Sequence, residues 1–241
     1  MENKKIKALL FSPDKRNQAI AWELDKSTNN GELRKALEEE YAELIQLLDM
    51  DIEILMIQTE INLSKKDITT LPLIPPNIQK LYCDNNQLTQ LPELPNVQKL
   101  WCHFNQLSQL PDLPNVQKLN CDNNQLTQLP ELPNVQKLDC DNNQLTQLPE
   151  LPNVQELRCN DNQLTQLPEL PNVQKLHCGE NQLTELPELP NVRELYCADN
   201  QLTQLPELPN AQKLYCVNNQ LSRLPQLPNI EELSCDDYLK N

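Results

Sequence analysis

Glycine is nearly absent: the 241 residues contain only Gly31 and Gly179, so no glycine-rich loop is available to cradle a phosphate. Aromatic residues make up 4%, too few for a conventional aromatic core. The two histidines, His103 and His177, stand far apart in the chain, and no Ser/His/Asp arrangement or HExxH motif accompanies them. No apolar stretch approaches the roughly 20 residues of a membrane-spanning helix. The short run Ala8-Leu9-Leu10-Phe11 after Lys4, Lys5 and Lys7 is too brief for a signal-peptide core, and Ser12-Pro13-Asp14 ends it without a cleavage site. The expected location is therefore cytoplasmic, with export by a route that leaves no cleavable signal still open. Positive charge is in deficit: 20 Lys+Arg stand against 35 Asp+Glu, a net charge of −15. That balance disfavours nucleic acid and anionic membranes and favours a neutral or basic protein partner.

What the sequence does have is a period. Its nine cysteines lie at 83, 102, 121, 140, 159, 178, 197, 216 and 235, each 19 residues after the last. A disulfide framework uses irregular spacings, so one fixed interval marks a repeat with Cys at one structural position. Each unit, as in Leu119 to Lys137, holds a short alternating stretch V-x-x-L-x-C, then x-x-N-x-L, then L-P-x-L-P-N. The alternation predicts a half-buried strand, and the paired prolines forbid a helix and favour an extended return. Nineteen residues have no room for a helix as well. A single unit has no core, so neighbours must stack to bury Leu, Val and Cys. The expected fold is a solenoid whose strands form a curved parallel β-sheet on the concave face, with a polyproline-like convex side. An Asn recurs three residues after each Cys, at 86, 105, 124, 143, 162, 181, 200 and 219, and its amide can pair the backbone of its own and neighbouring turns. Tyr238 takes that position last, which predicts the end of the array.

The pattern L-x-x-L-x-C-x-x-N-x-L-x-x-L-P resembles the leucine-rich repeats. Its L-P-x-L-P element, clearest at Leu71-Pro72-Leu73-Ile74-Pro75-Pro76-Asn77-Ile78, resembles their short bacterial class, which includes type III-secreted effectors of the IpaH and YopM kind. The resemblance implies an effector-like or adaptor protein. IpaH-type effectors carry a catalytic Cys in a domain after the repeats; as this sequence ends at Asn241, that domain is not expected and ubiquitin-ligase activity is not implied.

Residues 1–60 are expected to form an α-helical cap over the open end of the stack, residues 61–238 the repeats, and 239–241 a short tail. Ser12-Pro13 reads as a helix start, with Ala19, Ile20, Trp22 and Leu24 as its apolar positions, and Asn29-Asn30-Gly31 as its break. A second helix is expected from about Glu32 to Leu48, and a leading strand within Ile52 to Leu63. Two helices and nine strands are the expectation.

Variation among the repeats is concentrated in three columns: the residue between Leu and Cys, and the two residues after Cys. If Leu and Cys point inward, these columns face the concave side. The residues singled out for partner binding are Tyr82, Trp101, His103, Phe104, Asp139, Arg158, His177, Tyr196 and Tyr215. Tyr82, Trp101 and Phe104 with His103 are expected to form one cluster, Tyr196 and Tyr215 a second, and Asn120 to His177 a polar centre. The best reading is a non-enzymatic protein-binding module without a cofactor. Its alternatives are a self-assembling solenoid, and a Ca²⁺-dependent binder in which Asp122, Asp139 and Asp141 supply oxygen ligands. A zinc site is not read into the cysteines, whose spacing fits a column of small buried hydrophobes.

Overall fold

A computed structural model describes residues 2–12 and 14–237. Helices come first: α1 (Glu2–Leu10), α2 (Lys15–Thr28), α3 (Glu32–Glu40), α4 (Ala42–Leu48) and α5 (Ile52–Ile57). Ten three-residue strands follow, from β1 (Glu60–Asn62) and β2 (Lys80–Tyr82) to β9 (Lys213–Tyr215) and β10 (Glu232–Ser234). They form one parallel sheet in sequence order, each strand paired with the next without a slip, as in Leu100↔Leu119 and Leu119↔Leu138. The array is a continuous stack of turns, the architecture that its period requires.

Each turn closes for identifiable reasons. Leu100 and Cys102 of the third strand segment are fully buried, as are Leu107 and Val116, and the same columns stay buried through Leu214 and Cys216. All nine cysteines are buried free thiols. The inward Asn ladder does what its amide chemistry allows. Asn105 Nδ2 donates to the carbonyls of Cys83 in the preceding turn and of Cys102 in its own, both at 3.0 Å, while its Oδ1 accepts from Leu88 N at 3.0 Å. Asn124, Asn143, Asn162, Asn181 and Asn200 repeat the arrangement. Tyr238, the expected stop, lies outside the described residues. A second Asn ladder went unread in the sequence. The Asn of each Pro-Asn pair, from Asn96 to Asn229, donates to a proline carbonyl one turn back, as Asn134 does to Pro114 O at 2.8 Å. Proline supplies no N–H, and this side-chain amide ties the proline-rich returns together instead.

The helical segment differs in detail from its expectation. There are five helices among the described residues, not two, and ten strands, not nine. Lys4 to Leu10, considered only as a leader, lies in α1 with Ile6 and Leu10 in the core. In α2, Asp14 is the cap, its side chain accepting from Arg16 N at 2.8 Å. Ile20 is exposed; Gln18, Ala21 and Asp25 take the inward face instead. Buried Asp25 then accepts from Leu33 N and Arg34 N and so caps α3, whose own first residue follows Gly31, which has no side chain to do it. The expected helix from Glu32 to Leu48 bends at Tyr41 (φ −110°, ψ 18°), a residue that is buried along with Leu37 and Leu44. Of the region expected to hold the leading strand, Ile52–Ile57 is a helix and only Glu60–Asn62 is a strand, β1. Asp51 caps the helix by accepting from Glu53 N at 2.8 Å, and Ile52, Leu55 and Met56 bury at helical spacing, which outweighs β-branched propensity. Asn77 Nδ2 then donates to the carbonyls of Met56 and Gln58, which fastens the helices to the first turns.

Candidate functional site

In β2 to β9 the central Leu points into the stack, so the residues before and after it share the opposite, concave face. Two columns run across that face. One holds Lys80, Lys99, Lys118, Lys137, Glu156, Lys175, Glu194, Lys213 and Glu232. The other holds Tyr82, Trp101, Asn120, Asp139, Arg158, His177, Tyr196, Tyr215 and Ser234. The Lys column, with Glu at three of its nine positions, was not singled out in the sequence; strand alternation alone would have put it on this face.

The ring column is ordered by the sheet itself. Parallel strands stand about 4.8 Å apart, close to the contact distance of two flat rings. Tyr82 and Trp101 stack with centroids 4.4 Å apart and planes 7° apart. Tyr196 and Tyr215 stack at 4.5 Å and 7°, and His177 extends this group, 4.2 Å from Tyr196. His177 thus belongs to the second aromatic group, not to the polar centre. Burial, then the nearby Arg158 charge, holds its imidazole below the usual value, which favours the neutral ring in the stack. Tyr215 Oη donates to Glu232 at 2.8 Å.

The first aromatic cluster is split. The ring that Phe104 meets is not in the Tyr82–Trp101 pair but is that of His103, edge-on at 5.6 Å. His103 sits 3.8 Å from an Asp84 carboxylate, and its Nδ1 is buried without a hydrogen-bond partner. Phe104 stands in the left-handed region (φ 51°) and is 51% exposed. The whole column before the Asn ladder shares this conformation: Asn85, Asn123, Asn142, Asp161, Glu180, Asp199 and Asn218 all have φ between 52° and 56°. Asn and Asp recur there because they tolerate that backbone, so this third column records conformation first. Phe104 is the bulky exception.

Between the aromatic groups lies the polar centre of Asn120, Asp139 and Arg158. Arg158 Nη1 is 4.0 Å from Asp139 Oδ2. Burial, then the neighbouring charges of Asp141 and Asp122, pushes the Asp139 carboxyl up to about 6. Asp122, Asp139 and Asp141 are not drawn together into one cluster. Asp122 accepts from Asn123 Nδ2, both Asp141 oxygens accept from Asn160 Nδ2, and among the described residues no three acidic, His or Cys side chains converge on a metal position. Burial raises the thiols from Cys83 to Cys216 above their ordinary value, for Cys216 to about 12, which disfavours the reactive thiolate form.

No helix among the described residues is long and apolar enough to cross a membrane. The leucine-rich repeat family, in its two-copy unit, matches overlapping segments that run without a gap from residue 76 to 210, more than half the chain. No curated protein matches. Among solved structures, YopM from Yersinia enterocolitica WA-314 is 37% identical with a TM-score of 0.72; the match covers 75% of this chain and 42% of that one. The leucine-rich effector protein YopM from Yersinia pestis is 30% identical with a TM-score of 0.66, over 98% of this chain and 68% of that one. A Shigella effector leucine-rich-repeat domain is 28% identical, with a TM-score of 0.51 and 87% of each chain covered. No catalytic family is among these matches, and the repeat scaffold they share is one that serves protein–protein interaction. The chain belongs to the leucine-rich-repeat proteins, and its kinship is with those of bacterial effectors.

Proposed function

We propose that this protein is a non-enzymatic, effector-like or adaptor module that grips a protein partner on the concave sheet. The observation that carries this reading is the contrast between columns. Leu, Cys and both Asn ladders scarcely change because they hold each turn to the next. The column from Tyr82 to Tyr215, which lies outside the core, holds six different residue types in eight turns and is rich in stacked rings. Rings already held against one another lose little side-chain freedom on binding, which favours them as interface anchors. Net charge of −15 favours a partner that is neutral or basic as a whole.

A photo-cross-linking amino acid at Asn120, on the concave face, is expected to capture a partner that the same group at exposed Gln147, on the other side of the turn, does not. Equal capture at both positions would remove the concave face from the account. A second reading, self-assembly, is favoured by Leu233, 43% exposed on β10 where the equivalent leucines are buried. Under that reading light scattering would give a mass that rises with concentration; a constant mass of one chain would exclude it.

A further inference from the structure

The concave face is not electrically uniform, and its two halves differ in whether its charges are satisfied. Toward the C-terminal end each Lys of the outer column has a carboxylate on the next strand: Lys175–Glu194 at 3.1 Å and Lys213–Glu232 at 2.7 Å. Toward the N-terminal end four lysines run side by side, Lys80, Lys99, Lys118 and Lys137, on adjacent strands about 4.8 Å apart. The outer two are paired, Lys80 with Glu60 at 3.0 Å and Lys137 with Glu156 at 2.6 Å. Lys99 and Lys118 make no ion pair among the described residues, and each has a Lys on both sides. Four like charges in register repel, an arrangement that a sheet built for stability alone would alternate, as the C-terminal half does.

Beside the two unpaired lysines lies an aromatic surface. One face of Trp101 is covered by Tyr82. The other looks over Asn120, a shorter side chain, into a hollow of about 280 Å³ whose charged lining is Lys118, Lys137 and Arg158 together with Asp139 and Glu156, the last paired with Lys137. A hollow of this size takes one side chain, not a macromolecular groove's full width. We infer that this part of the concave face binds an extended acidic polypeptide segment, its carboxylates on Lys99 and Lys118 and an aromatic side chain on the open face of Trp101. The inference rests on the concave-face reading above and specifies its partner: neutral or basic overall, with an acidic strand that seats here.

Nucleic acid also stacks and carries negative charge, but the surroundings favour a peptide. Asp84, Asp122 and Asp141 line the opposite edge of the same half, four residues along from Lys80, Lys118 and Lys137, and Asp139 lies in the middle column. A phosphate backbone meets these wherever it turns, whereas a peptide strand presents its carboxylates to one side only.

The test uses a fluorescein-labelled octapeptide of alternating Glu and Tyr, with Lys–Tyr and eight-nucleotide oligothymidylate as comparison probes, read by anisotropy. The full chain is expected to bind the Glu–Tyr peptide, more weakly as salt rises. Lys99→Gln/Lys118→Gln is expected to lose about ten-fold or more in affinity, with a melting curve at or above the native one because neither side chain is paired and the row of like charges is relieved. Lys26→Gln/Lys35→Gln, which removes the same charge from the helical cap, is expected to bind as the native protein does. Native-like affinity in Lys99→Gln/Lys118→Gln overturns the inference, and so does oligothymidylate binding as tightly as the peptide. If no Glu–Tyr binding occurs while Asn120 still cross-links a partner, the acidic segment falls and the concave-face reading stands.

Discussion

Asn143 shows how much one side chain can hold. Its Nδ2 donates to the carbonyls of Cys121, Cys140 and Asp141 while its Oδ1 accepts from Leu126 N, so one amide closes four backbone groups across two turns. Asn143→Leu is expected to cost about 2–4 kcal/mol in denaturant unfolding, because those groups stay buried without partners. Asn134 makes one bond at an exposed turn, and Asn134→Ala is expected to cost no more than about 1 kcal/mol. Cys140 is fully buried in the thiol column, and Cys140→Asp is expected to destabilise by several kcal/mol; an unchanged melt would mean that the column does not pack. Asp139 makes a prediction with a sign. Its folded value of about 6 lies above the roughly 3.9 of an unfolded Asp, so the folded state binds the extra proton between these values. The resulting stabilisation is whole below about pH 4 and lost as pH rises through 6. Asp139→Asn is therefore expected to melt above the native protein at pH 7.5, by on the order of 1–2 kcal/mol, and to lose that advantage near pH 4.

At the scale of the element, the repeat was legible and the cap was less so. The 19-residue interval, the alternation around each Leu and the two prolines leave one way to build a turn, and the strands appear where alternation puts them. The inward Asn was readable because its chemistry has few uses in a core. The left-handed column was not, since Asn and Asp there looked like surface variation until the backbone angles showed a constraint. The Lys column was missed because Lys and Glu both read as ordinary solvated charge, and only the strand register shows four lysines side by side. In residues 2–57 no period averages out local ambiguity. Ile52 to Ile57 is apolar and β-branched, yet Asp51 and the spacing of Ile52, Leu55 and Met56 make it helical. Asn77→Ala is expected to loosen this segment: hydrogen exchange should speed up in α5 while β9 stays protected, because the loss is confined to one end of the stack.

Across the whole molecule, division of labour between faces is the organising fact. The inward columns and the two Asn ladders make stability a property of neighbouring turns, and every turn supplies it again. That redundancy frees the concave columns to differ from turn to turn without weakening the stack. They have differentiated along the axis: an N-terminal half with unpaired lysines beside Tyr82 and Trp101, a polar centre, and a C-terminal half whose ions pair among themselves beside three stacked rings. The measurement that tests this most directly compares the native chain with a Tyr82→Ala/Trp101→Ala/Tyr196→Ala/Tyr215→Ala variant, by melting and by affinity capture read with mass spectrometry. The account predicts a nearly normal melt, since these rings lie outside the core, and the loss from the variant of proteins that the native chain captures. A collapsed melt would place the rings in the fold, and a normal melt with the same captured proteins would contradict the concave face as the binding surface.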